Sequence, residues 1–507
     1  MKMKKESRLH QRIADIEGLV RRVPKEVLKA LLTLSEQRQT PMYIVGGPVR
    51  DWLLDHECHD FDITVPAGAE RLCRELIGVL GEGAYVQLGT DEEEAARVAW
   101  RGFDIDISSF RGGATTIEED LALRDFTVNA IAVSLAEAVA GGKGAGDRPG
   151  LIDPLNGAED LFNSRLRHCP NAFDDDPLRM LRGYRFVATL GFDLDPDTLE
   201  DIREKSDAIC RVAAERTRYE LDKIMATEHA AEVLWQMNES DILCQLLPEL
   251  YEGIEVEQPD FHHLDVFHHN FQTLHEMEQL LAAPGKIYPG CRDEVIAYTK
   301  DGGVRKCLKW AALLHDVGKP AAMGTARDGS RVTFYGHDEM GRSQLEIIAR
   351  RLRWSNEDRE RTGHLIAMHM HPFHLCNVRR SEQLTRRAAL KLCKRAGDDL
   401  PGLFLLAMSD SLASQGELKP QSMEKELVEL YSELTQIYRE HILPALSGPP
   451  LLGGRELIDD FGLTPGPVFK EILGELEMLQ VEGVIESKAQ ARDWVQAYIN
   501  EHGGEGE

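Results

Sequence analysis

The apolar residues of this chain change from strand-like to helical spacing near Asp153, and that change limits the folds open to it. Between Met42 and Ile107, short alternating apolar runs surround one amphipathic stretch, Ala69–Leu80. Such runs predict strands packed around a helix. Beyond Asp153, apolar residues recur at helical spacing almost to the end of the chain. The pattern predicts an α+β multidomain protein in which a small mixed α/β domain is followed by helices.

A chain of 507 residues exceeds what one hydrophobic core usually holds, so we expect three or four compact domains. The predicted boundaries follow the changes in pattern: N-terminal helices 1–40, a mixed α/β head 41–165, a helical neck 166–255, a histidine-bearing helical domain 256–415 and C-terminal helices 416–507.

Cysteine usage and hydropathy bear on where the protein works. The nine cysteines are scattered without a C-x-x-C pair, which argues against a disulfide framework and a structural zinc site. The first residues are charged, and no apolar stretch approaches the roughly 20 residues that span a bilayer. We therefore predict a soluble cytoplasmic protein with no membrane partner.

The net charge of −27 opposes nucleic-acid binding, because acidic surfaces repel phosphates. Local clusters can overrule the total, since salt screens charges beyond roughly 10 Å. Three basic clusters are Arg379-Arg380, Arg386-Arg387 and the set Lys391, Lys394 and Arg395. Each could line an RNA groove or belong to the solvated surface, and the sequence leaves both interpretations open.

Carboxylates alternate along two predicted strands behind a glycine turn. Gly46-Gly47 opens a helix that carries Arg50, which suits the approach of a phosphate to backbone N–H groups. Asp60 and Asp62 share one strand face, and Asp104 and Asp106 repeat the spacing. Three converging carboxylates suit Mg²⁺ in a two-metal site for phosphoryl chemistry. The alternative is that alternating Asp marks the solvent face of an edge strand.

An arginine ladder follows on a predicted helix. Asp176 is a suitable N-cap, and Arg179, Arg182 and Arg185 recur every three residues along one stripe. The stripe could read a base edge and clamp a triphosphate, or it could be a solvated cationic face. Upstream, the segment that begins at Arg124-Asp125 and ends at Asn129 could supply a phosphate ligand and polar groups for a ribose.

These motifs together resemble the bacterial class II tRNA nucleotidyltransferase and poly(A) polymerase family of the polymerase-β-like superfamily. The matching segments are GGPVRDWLL, DFD, LRDFTVNA, DDPLR and ERTRYELDK, in the family's order, and the resemblance returns near the C-terminus in GGRELIDDFGLTPGPVFKEILGELEMLQVEGVI. The resemblance implies a nucleotidyltransferase head, a nucleotide-selecting neck and C-terminal helices that bind tRNA.

The resemblance also implies residue roles. Asp60 and Asp62 would bind the catalytic Mg²⁺ ions, with Asp106 as the third catalytic carboxylate. The implied nucleotide-binding residues are Gly46, Gly47, Arg50, Arg124, Asp125, Asn129, Asp176, Arg179, Arg182 and Arg185, of which Asp176 and Arg179 would read the base. The implied reaction is attack of a tRNA 3′-hydroxyl on the α-phosphate of CTP or ATP, with release of pyrophosphate.

One departure from the family pattern indicates which nucleotides the enzyme would add to tRNA. Leu123, Asp175 and Asp55 differ from the family's usual residues, but the larger difference is a short segment at 110–120, where members that add the terminal adenosine carry a longer flexible loop. Its shortness resembles CC-adding enzymes, which add cytidines and leave adenosine to a separate A-adding enzyme. The alternatives are full CCA addition with CTP and ATP, and then poly(A) synthesis.

Histidines and aspartates on the later helices resemble an HD phosphohydrolase domain. HHLDVFHHNFQTL and LLHDVGKP match its first helix and its namesake doublet. The implied metal ligands are His269, His315, Asp316, His337, His369 and Asp410, for one or two divalent ions of unknown identity. Similar fusions suggest phosphatase, cyclic phosphodiesterase or 2′-nucleotidase activity. Two further alternatives are a nucleotide hydrolase with a degenerate transferase domain and a uridylyltransferase that modifies a protein.

Overall fold

The computed structural model describes residues 15–57, 61–89, 94–141, 150–258, 261–329, 331–447 and 450–502. The chain forms two compact units, residues 1–227 with 236–246 and residues 228–235 with 247–507. Each unit is considered by itself below.

The first unit contains a seven-stranded mixed sheet. Its strands are β1 (Tyr43–Val45), β2 (Phe61–Val65), β3 (Ala84–Gln87), β4 (Ala95–Trp100), β5 (Phe103–Ser109), β6 (Ala132–Ser134) and β7 (Leu151–Ile152). They lie in the order β3-β4-β5-β2-β1-β6-β7, and β2 and β5 run parallel while the other described neighbours are antiparallel. This confirms the predicted mixed α/β head.

Residue alternation explains how the central strands bury one face. Ile63 of β2 and both Ile105 and Ile107 of β5 are at most 1% exposed, whereas the aspartates between them are partly exposed. A period of two places the apolar side chains against the core and the carboxylates on the other face. The alternation inferred for Asp62, Asp104 and Asp106 is therefore confirmed.

Helices surround the sheet and continue beyond it in the first unit. They are α1 (Lys25–Arg38), α2 (Gly47–Leu54), α3 (Ala69–Leu80), α4 (Ile117–Ala122), α5 (Leu135–Ala140), α6 (Gly157–Asn163), α7 (Ala172–Asp175), α8 (Leu178–Leu190), α9 (Pro196–Lys205) and α10 (Ala214–Met225). A short strand pair, β8 (Arg165–Leu166) and β9 (Asp193–Leu194), lies among them. The division between the units falls within α11 (Ala230–Glu239), and α12 (Ile242–Leu246) belongs to the first unit.

Two helix starts differ from the sequence expectation. In the first 40 residues, the described part begins with a short 3₁₀ turn, Ile16–Val20, and α1 is the one full α-helix. Helix α8 begins at Leu178 and has Pro177 at its N-cap, one residue later than predicted. The Asp176 carboxylate nevertheless accepts a hydrogen bond from the Leu178 N–H at 3.1 Å, so it still satisfies an open end of the helix.

The second unit is almost entirely helical. Its remaining helices are α13 (Pro248–Tyr251), α14 (Val266–Ala282), α15 (Arg292–Tyr298), α16 (Gly302–Leu314), α17 (Lys319–Ala322), α18 (His337–Arg351), α19 (Asn356–Met368), α20 (His371–Ser381), α21 (Arg386–Ala396), α22 (Leu400–Ala413), α23 (Met423–Ile437), α24 (Leu443–Ser447), α25 (Gly454–Asp459), α26 (Pro467–Glu482) and α27 (Lys488–His502). In the described part of this unit, a two-stranded hairpin of β10 (Gly324–Thr325) with β11 (Val332–Thr333) interrupts the helices.

Four residues of the three basic clusters pair with glutamates of the same unit. Arg379 contacts Glu429 and Glu433 at 3.0 and 2.8 Å, and Arg380 contacts Glu426 at 2.9 Å. Arg387 and Lys394 likewise pair with glutamates on α26. These contacts favour the interpretation of the clusters as neutralised surface.

Among the described residues, no helix combines the length and the apolar character needed to cross a bilayer. The cytoplasmic location stays a prediction.

Candidate functional site

The glycine turn between β1 and α2 brings opposite charges close together. Gly46 has a φ of +70°, a conformation that L side chains rarely adopt. A Cβ at this position would lie 3.3 Å from Nη1 of Arg124 and 3.9 Å from Oδ2 of Asp62. The backbone conformation therefore favours glycine, and a Cβ would also crowd the Arg124 guanidinium.

The predicted catalytic carboxylates lie on the parallel strand pair. Asp62 of β2 and Asp106 of β5 are direct partners in the register. Arg97 of β4 donates to both oxygens of Asp106, at 2.7 and 2.8 Å, and to Asp104 at 3.0 Å. Asp60 lies outside the described residues. The sheet thus brings Asp62 and Asp106 together, and Arg97 is a partner that the sequence did not indicate.

A cavity of about 430 Å³ opens beside the glycine turn. Its walls are Gly46, Gly47, Arg50, Asp62, Arg111, Arg124, Asp125, Asn129, Asp176, Arg179, Arg182, Arg185 and Phe186. All of the predicted nucleotide-binding residues are in this set, together with Asp62. Arg111 and Phe186 were not predicted, and Asp106 does not line the cavity.

A buried carboxylate holds two of the cavity's arginines. Asp120 is fully buried and lies 3.2 Å from Nη1 of Arg111 and 3.0 Å from Nη2 of Arg124. Burial and the nearby Arg111 lower the pKa of Arg124 to about 10, so this side chain is still charged at neutral pH. Two adjacent guanidinium groups sharing one carboxylate leave an excess positive charge, which suits a polyphosphate.

A second chain of contacts links the head to the arginine ladder. Asp125 accepts hydrogen bonds from Arg182 at 2.6 Å and from Asn129 at 3.0 Å. The side-chain Oδ1 of Asn129 accepts a hydrogen bond from Nη1 of Arg50 at 2.7 Å. Burial tends to raise the pKa of Asp125, but Arg182, Asn129 and the Phe126 N–H outweigh it and hold the pKa well below its usual value. The carboxylate therefore stays ionised and fixes both arginines.

Two residues of α10 form ion pairs with Asp176 and with the arginine stripe on α8. Asp176 pairs with Arg216 at 2.7 Å, and Arg185 pairs with the buried Glu220 at 2.8 Å. Arg179 donates to the Arg124 carbonyl at 3.2 Å. The supports Arg216 and Glu220 lie in the ERTRYELDK segment, which the sequence singled out as a motif without indicating what its residues contact.

The second unit gathers histidines and aspartates into one buried centre. Oδ2 of Asp316 lies 3.2 Å from Nε2 of His315 and 3.7 Å from Nε2 of His269. Oδ1 of Asp316 lies 3.3 Å from Nε2 of His337 and 3.6 Å from Nε2 of His369. Asp316 therefore faces a pair of imidazoles with each of its oxygens.

Asp410 completes this centre from α22. Its Oδ1 lies 3.1 Å from Nε2 of His269 and 3.9 Å from Nε2 of His315. Two buried carboxylates are costly unless cations lie between them, and histidine with carboxylate is a donor set that divalent metals use. The residues present thus fit a metal centre, and all six predicted ligands lie in this cluster.

Backbone carbonyls orient three of these imidazoles. Nδ1 of His315, His337 and His369 lies 3.0, 2.8 and 2.7 Å from the carbonyls of Ala312, Phe334 and Ile366. A carbonyl accepts the Nδ1 proton, which leaves the Nε2 lone pair for a metal, as ligating histidines usually require. Burial lowers the pKa of His269 and His369, which favours the neutral ring that can coordinate.

A second cavity of about 430 Å³ reaches this centre. Asp316, His337 and Asp410 are among its walls, together with His262 and Lys319. Nζ of Lys319 lies 2.5 Å from Oδ2 of Asp316. His262 was missed as a site residue, although it belongs to the HHLDVFHHNFQTL segment that the sequence had singled out.

Three family domains match this chain in succession. The Poly A polymerase head domain matches residues 42–167, the family described as "Probable RNA and SrmB- binding site of polymerase A" matches residues 191–253, and the HD domain matches residues 267–396. The fold and the two sites thus define a nucleotidyltransferase head joined to an HD domain.

The relatives identify the family. An A-adding tRNA nucleotidyltransferase of Deinococcus radiodurans is 33% identical over 476 residues, which are 91% of this chain and 96% of the relative. A CC-adding tRNA nucleotidyltransferase of Geobacter sulfurreducens is 41% identical over 200 residues, 39% of this chain and 43% of the relative. The chain belongs to the tRNA nucleotidyltransferase and poly(A) polymerase family, and it is an enzyme.

Solved structures share the fold. A CCA-adding enzyme in complex with CTP aligns with a TM-score of 0.62 at 21% identity, covering 95% of this chain and 97% of the other. A Thermotoga maritima CCA-adding enzyme complexed with tRNA aligns with a TM-score of 0.59 over 95% and 97% of the two chains. These alignments confirm the predicted order of a mixed α/β head followed by helices.

Proposed function

We propose that the first unit adds cytidines from CTP to the 3′ end of tRNA and stops before the terminal adenosine. The observation that carries this is the connection after β5. Residues 110–116 are the whole link between Ser109 of β5 and Ile117 of α4. A separate A-adding enzyme would then complete the end.

That connection is short and internally bonded. The Arg111 N–H donates to Asp120 at 3.0 Å, and the Ala114 N–H donates to the Arg111 carbonyl at 2.8 Å. Thr116 and Glu119 form a reciprocal capping box at the start of α4. A segment closed in this way has no free length to act as the flexible loop that family members use for adenosine addition.

Different residues in and beside the cavity would bind the metal, the triphosphate and the base. Asp60 and Asp62 would hold Mg²⁺, which when bound lowers the pKa of the attacking 3′-hydroxyl and stabilises the leaving pyrophosphate. Asp106 would join them by exchanging its contact with Arg97 for the metal. Arg50, Arg124 and the ladder arginines bind the triphosphate and offset the charge that develops on it. Asp176 presents an acceptor and Arg179 a donor, so together they could pair with the edge of a base.

A addition is the second candidate for the same site. The Deinococcus radiodurans relative that covers nearly all of this chain is named as an A-adding enzyme, whereas the CC-adding relative covers 39% of it. A family member named as a Multifunctional CCA protein, from Teredinibacter turnerae, is 30% identical over 349 residues. The connection after β5 is the reason to prefer cytidine addition.

The test uses three tRNAs, which end before the CCA, after the first C and after CC. Each is incubated with the protein, Mg²⁺ and CTP alone, ATP alone or both. We expect the first two to gain cytidines and the tRNA ending in CC to remain unchanged with ATP. Adenosine incorporation onto that third tRNA would refute the proposal and support A or CCA addition.

For the second unit we propose a metal-dependent phosphohydrolase that acts on phosphate esters of RNA ends or nucleotides. The supporting observation is the position of Asp316 between two pairs of imidazoles, which suits two ions sharing one carboxylate. Lys319 lies beside this carboxylate in the cavity and could bind a substrate phosphate. The transferase cavity retains Arg50, Asp62 and Arg179, which argues against a degenerate transferase.

This proposal is tested with 2′,3′-cyclic AMP, 2′-AMP and p-nitrophenyl phosphate, each with Mg²⁺, Mn²⁺, Co²⁺ or Ni²⁺. We expect turnover of at least one substrate with a transition metal and its loss in Asp316→Asn. Absence of turnover with every substrate and metal, from protein that binds metal, would contradict the proposal.

A further inference from the structure

We infer that His262 is an additional metal ligand of the HD centre, on the ion that His269, His315 and Asp410 also hold. The inference rests on the proposed metal-dependent function of the second unit and adds a ligand to it. It predicts two ions that differ in how many protein groups hold them.

The position of His262 carries the first step. One ring nitrogen of His262, one of His269 and one oxygen of Asp410 lie within 4.8 Å of one another, as do the ligand atoms of the group His269, His315 and Asp316 and of the group Asp316, His337 and His369. The rings of His262 and His269 meet edge to face, with centroids 4.5 Å apart. His262 thus occupies the same kind of position as the predicted ligands.

A hydrogen bond to the nitrogen that would not coordinate a metal orients the His262 ring. Nδ1 of His262 lies 3.0 Å from Oγ of Ser414, at the end of α22, the helix that carries Asp410. Ligating histidines are usually held in this way through the nitrogen that does not coordinate. With Nδ1 bonded to Ser414, Nε2 is the nitrogen left for a metal, in parallel with His315, His337 and His369.

The number of lone pairs on each ligand atom limits how many ions these residues can coordinate. An imidazole nitrogen has one lone pair, so Nε2 of His269 binds one ion. The group that contains His262 shares His269 and Asp410 with the ion beside His315, because Oδ1 of Asp410 lies 3.1 Å from Nε2 of His269 and 3.9 Å from Nε2 of His315, and we therefore assign His262 to that ion. Asp316 has two oxygens that face opposite sides, so it can bridge that ion to a second one held by His337 and His369.

The two ions then differ in character. The first would have five protein ligands, namely His262, His269, His315, Asp316 and Asp410, which leaves little room for solvent. The second would have three, namely Asp316, His337 and His369, which leaves positions for water and substrate. Three imidazoles with two carboxylates favour a transition ion over Mg²⁺, since Mg²⁺ prefers oxygen ligands.

The experiment measures metal binding directly. The full-length protein is stripped with chelator, titrated with Co²⁺ and followed by visible absorption, and bound metal is counted by elemental analysis. In an Asp62→Ala background, which removes a metal-binding carboxylate of the transferase site, we expect two ions per chain, one tighter than the other. His262→Ala should weaken the tighter ion at least about 10-fold, because losing a ligand should cost no less than losing a group that orients one. His337→Ala should instead weaken the other ion.

Two further variants keep the test decisive. His262→Gln retains a polar side chain of similar reach and decides the question if the alanine variant fails to fold by circular dichroism. His275→Ala is the matched control, because His275 is an exposed histidine on α14, the helix that carries His269, and it should bind Co²⁺ like wild type. Folded His262 variants that bind both ions with wild-type affinity would overturn the inference. Failure of the wild type to bind any metal would instead overturn the proposed function.

Discussion

Asp62 of β2 and Asp106 of β5 stand directly opposite each other on parallel neighbouring strands. Asp62 lines the cavity beside the glycine turn, whereas both oxygens of Asp106 are bonded to Arg97. The two residues thus occupy matching positions on neighbouring strands, but their carboxylates have different surroundings: Asp62 faces the cavity and Asp106 is bonded to Arg97. Of the described carboxylates on these strands, Asp62 is the one placed to meet a nucleotide.

Replacing Asp62 should lower nucleotide transfer without affecting phosphate-ester hydrolysis. Asp62→Ala should lower nucleotide transfer to tRNA by on the order of 10³-fold, because metal stabilisation of the reacting phosphate supplies several kcal/mol. Phosphohydrolase activity of the same variant should stay at the wild-type rate. Asp316→Asn is the reciprocal control and should abolish hydrolysis but not transfer. Loss of both activities in either folded variant would contradict two independent centres.

Removing the partner of Asp176 should weaken nucleotide selection. Arg216 pairs with Asp176 at 2.7 Å, but its side chain is 54% exposed, so water screens the pair. Arg216→Ala should therefore lower kcat/KM for CTP only about two- to five-fold, mainly through KM, and should increase misincorporation of UTP. Steady-state kinetics on a tRNA that ends before the CCA measures this effect.

Arg211→Ala is the control for that experiment. Its side chain is 79% exposed and its nearest carboxylate, on Asp207, is 3.9 Å away, so kinetics should not change. An Arg216→Ala enzyme with wild-type KM and wild-type selectivity would show that Asp176 needs no support from α10.

A buried ion pair should contribute to the stability of the second unit. Lys309 lies 2.9 Å from Glu278, and both side chains are 4% exposed. The same carboxylate accepts the N–H groups of Ala230 and Ala231 at 2.7 and 3.2 Å. Lys309→Met leaves Glu278 buried without its cation and should cost about 3–5 kcal/mol of unfolding free energy.

The loss of unfolding free energy is measured by urea unfolding, with hydrogen exchange of the backbone amides in α14 and α16 as the probe. Lys425→Met is the control, because the Lys425 side chain is 79% exposed beside Glu429 and should change stability by less than about 0.5 kcal/mol. Equal stability of the two variants would contradict the assigned role of the buried pair.

The network around Asp125 predicts a defined pH dependence. The pKa of Asp125 is lowered from 3.8 despite burial, chiefly by Arg182. A carboxylate with a lowered pKa stabilises the fold fully above its unfolded pKa, and this stabilisation is lost as the pH falls through the folded value. Asp125→Asn should therefore be less stable than wild type by a constant amount between pH 5 and 8, and the difference should narrow below about pH 4. A difference that changes between pH 5 and 8 would contradict this account.

Local pattern explains why much of the transferase site could be predicted. A period of two placed Asp62 and Asp106 on matching faces, and the glycines before a predicted helix marked the turn where Gly46 has a φ of +70°. Spacing along one helix likewise gathered Arg179, Arg182 and Arg185 on one stripe. These features depend on neighbours a few residues apart, which a sequence displays directly.

The supports of the site depend on contacts between distant segments and could not be predicted in the same way. Arg97 meets Asp106 across a hairpin, Arg216 meets Asp176 from another helix, and Ser414 holds His262 across 152 positions. Any of several arginines could have filled the first two roles. Only the packing of the helices and strands shows which one does.

The most direct test of the central claim is the ratio of kcat/KM for CTP to that for ATP, measured on tRNAs that end after the first C and after CC. Cytidine addition that stops before adenosine predicts a large preference for CTP on the first tRNA and no measurable transfer of either nucleotide to the second. Efficient transfer from ATP to the tRNA ending in CC would contradict the account, because it would show that the short connection between β5 and α4 does not prevent adenosine addition.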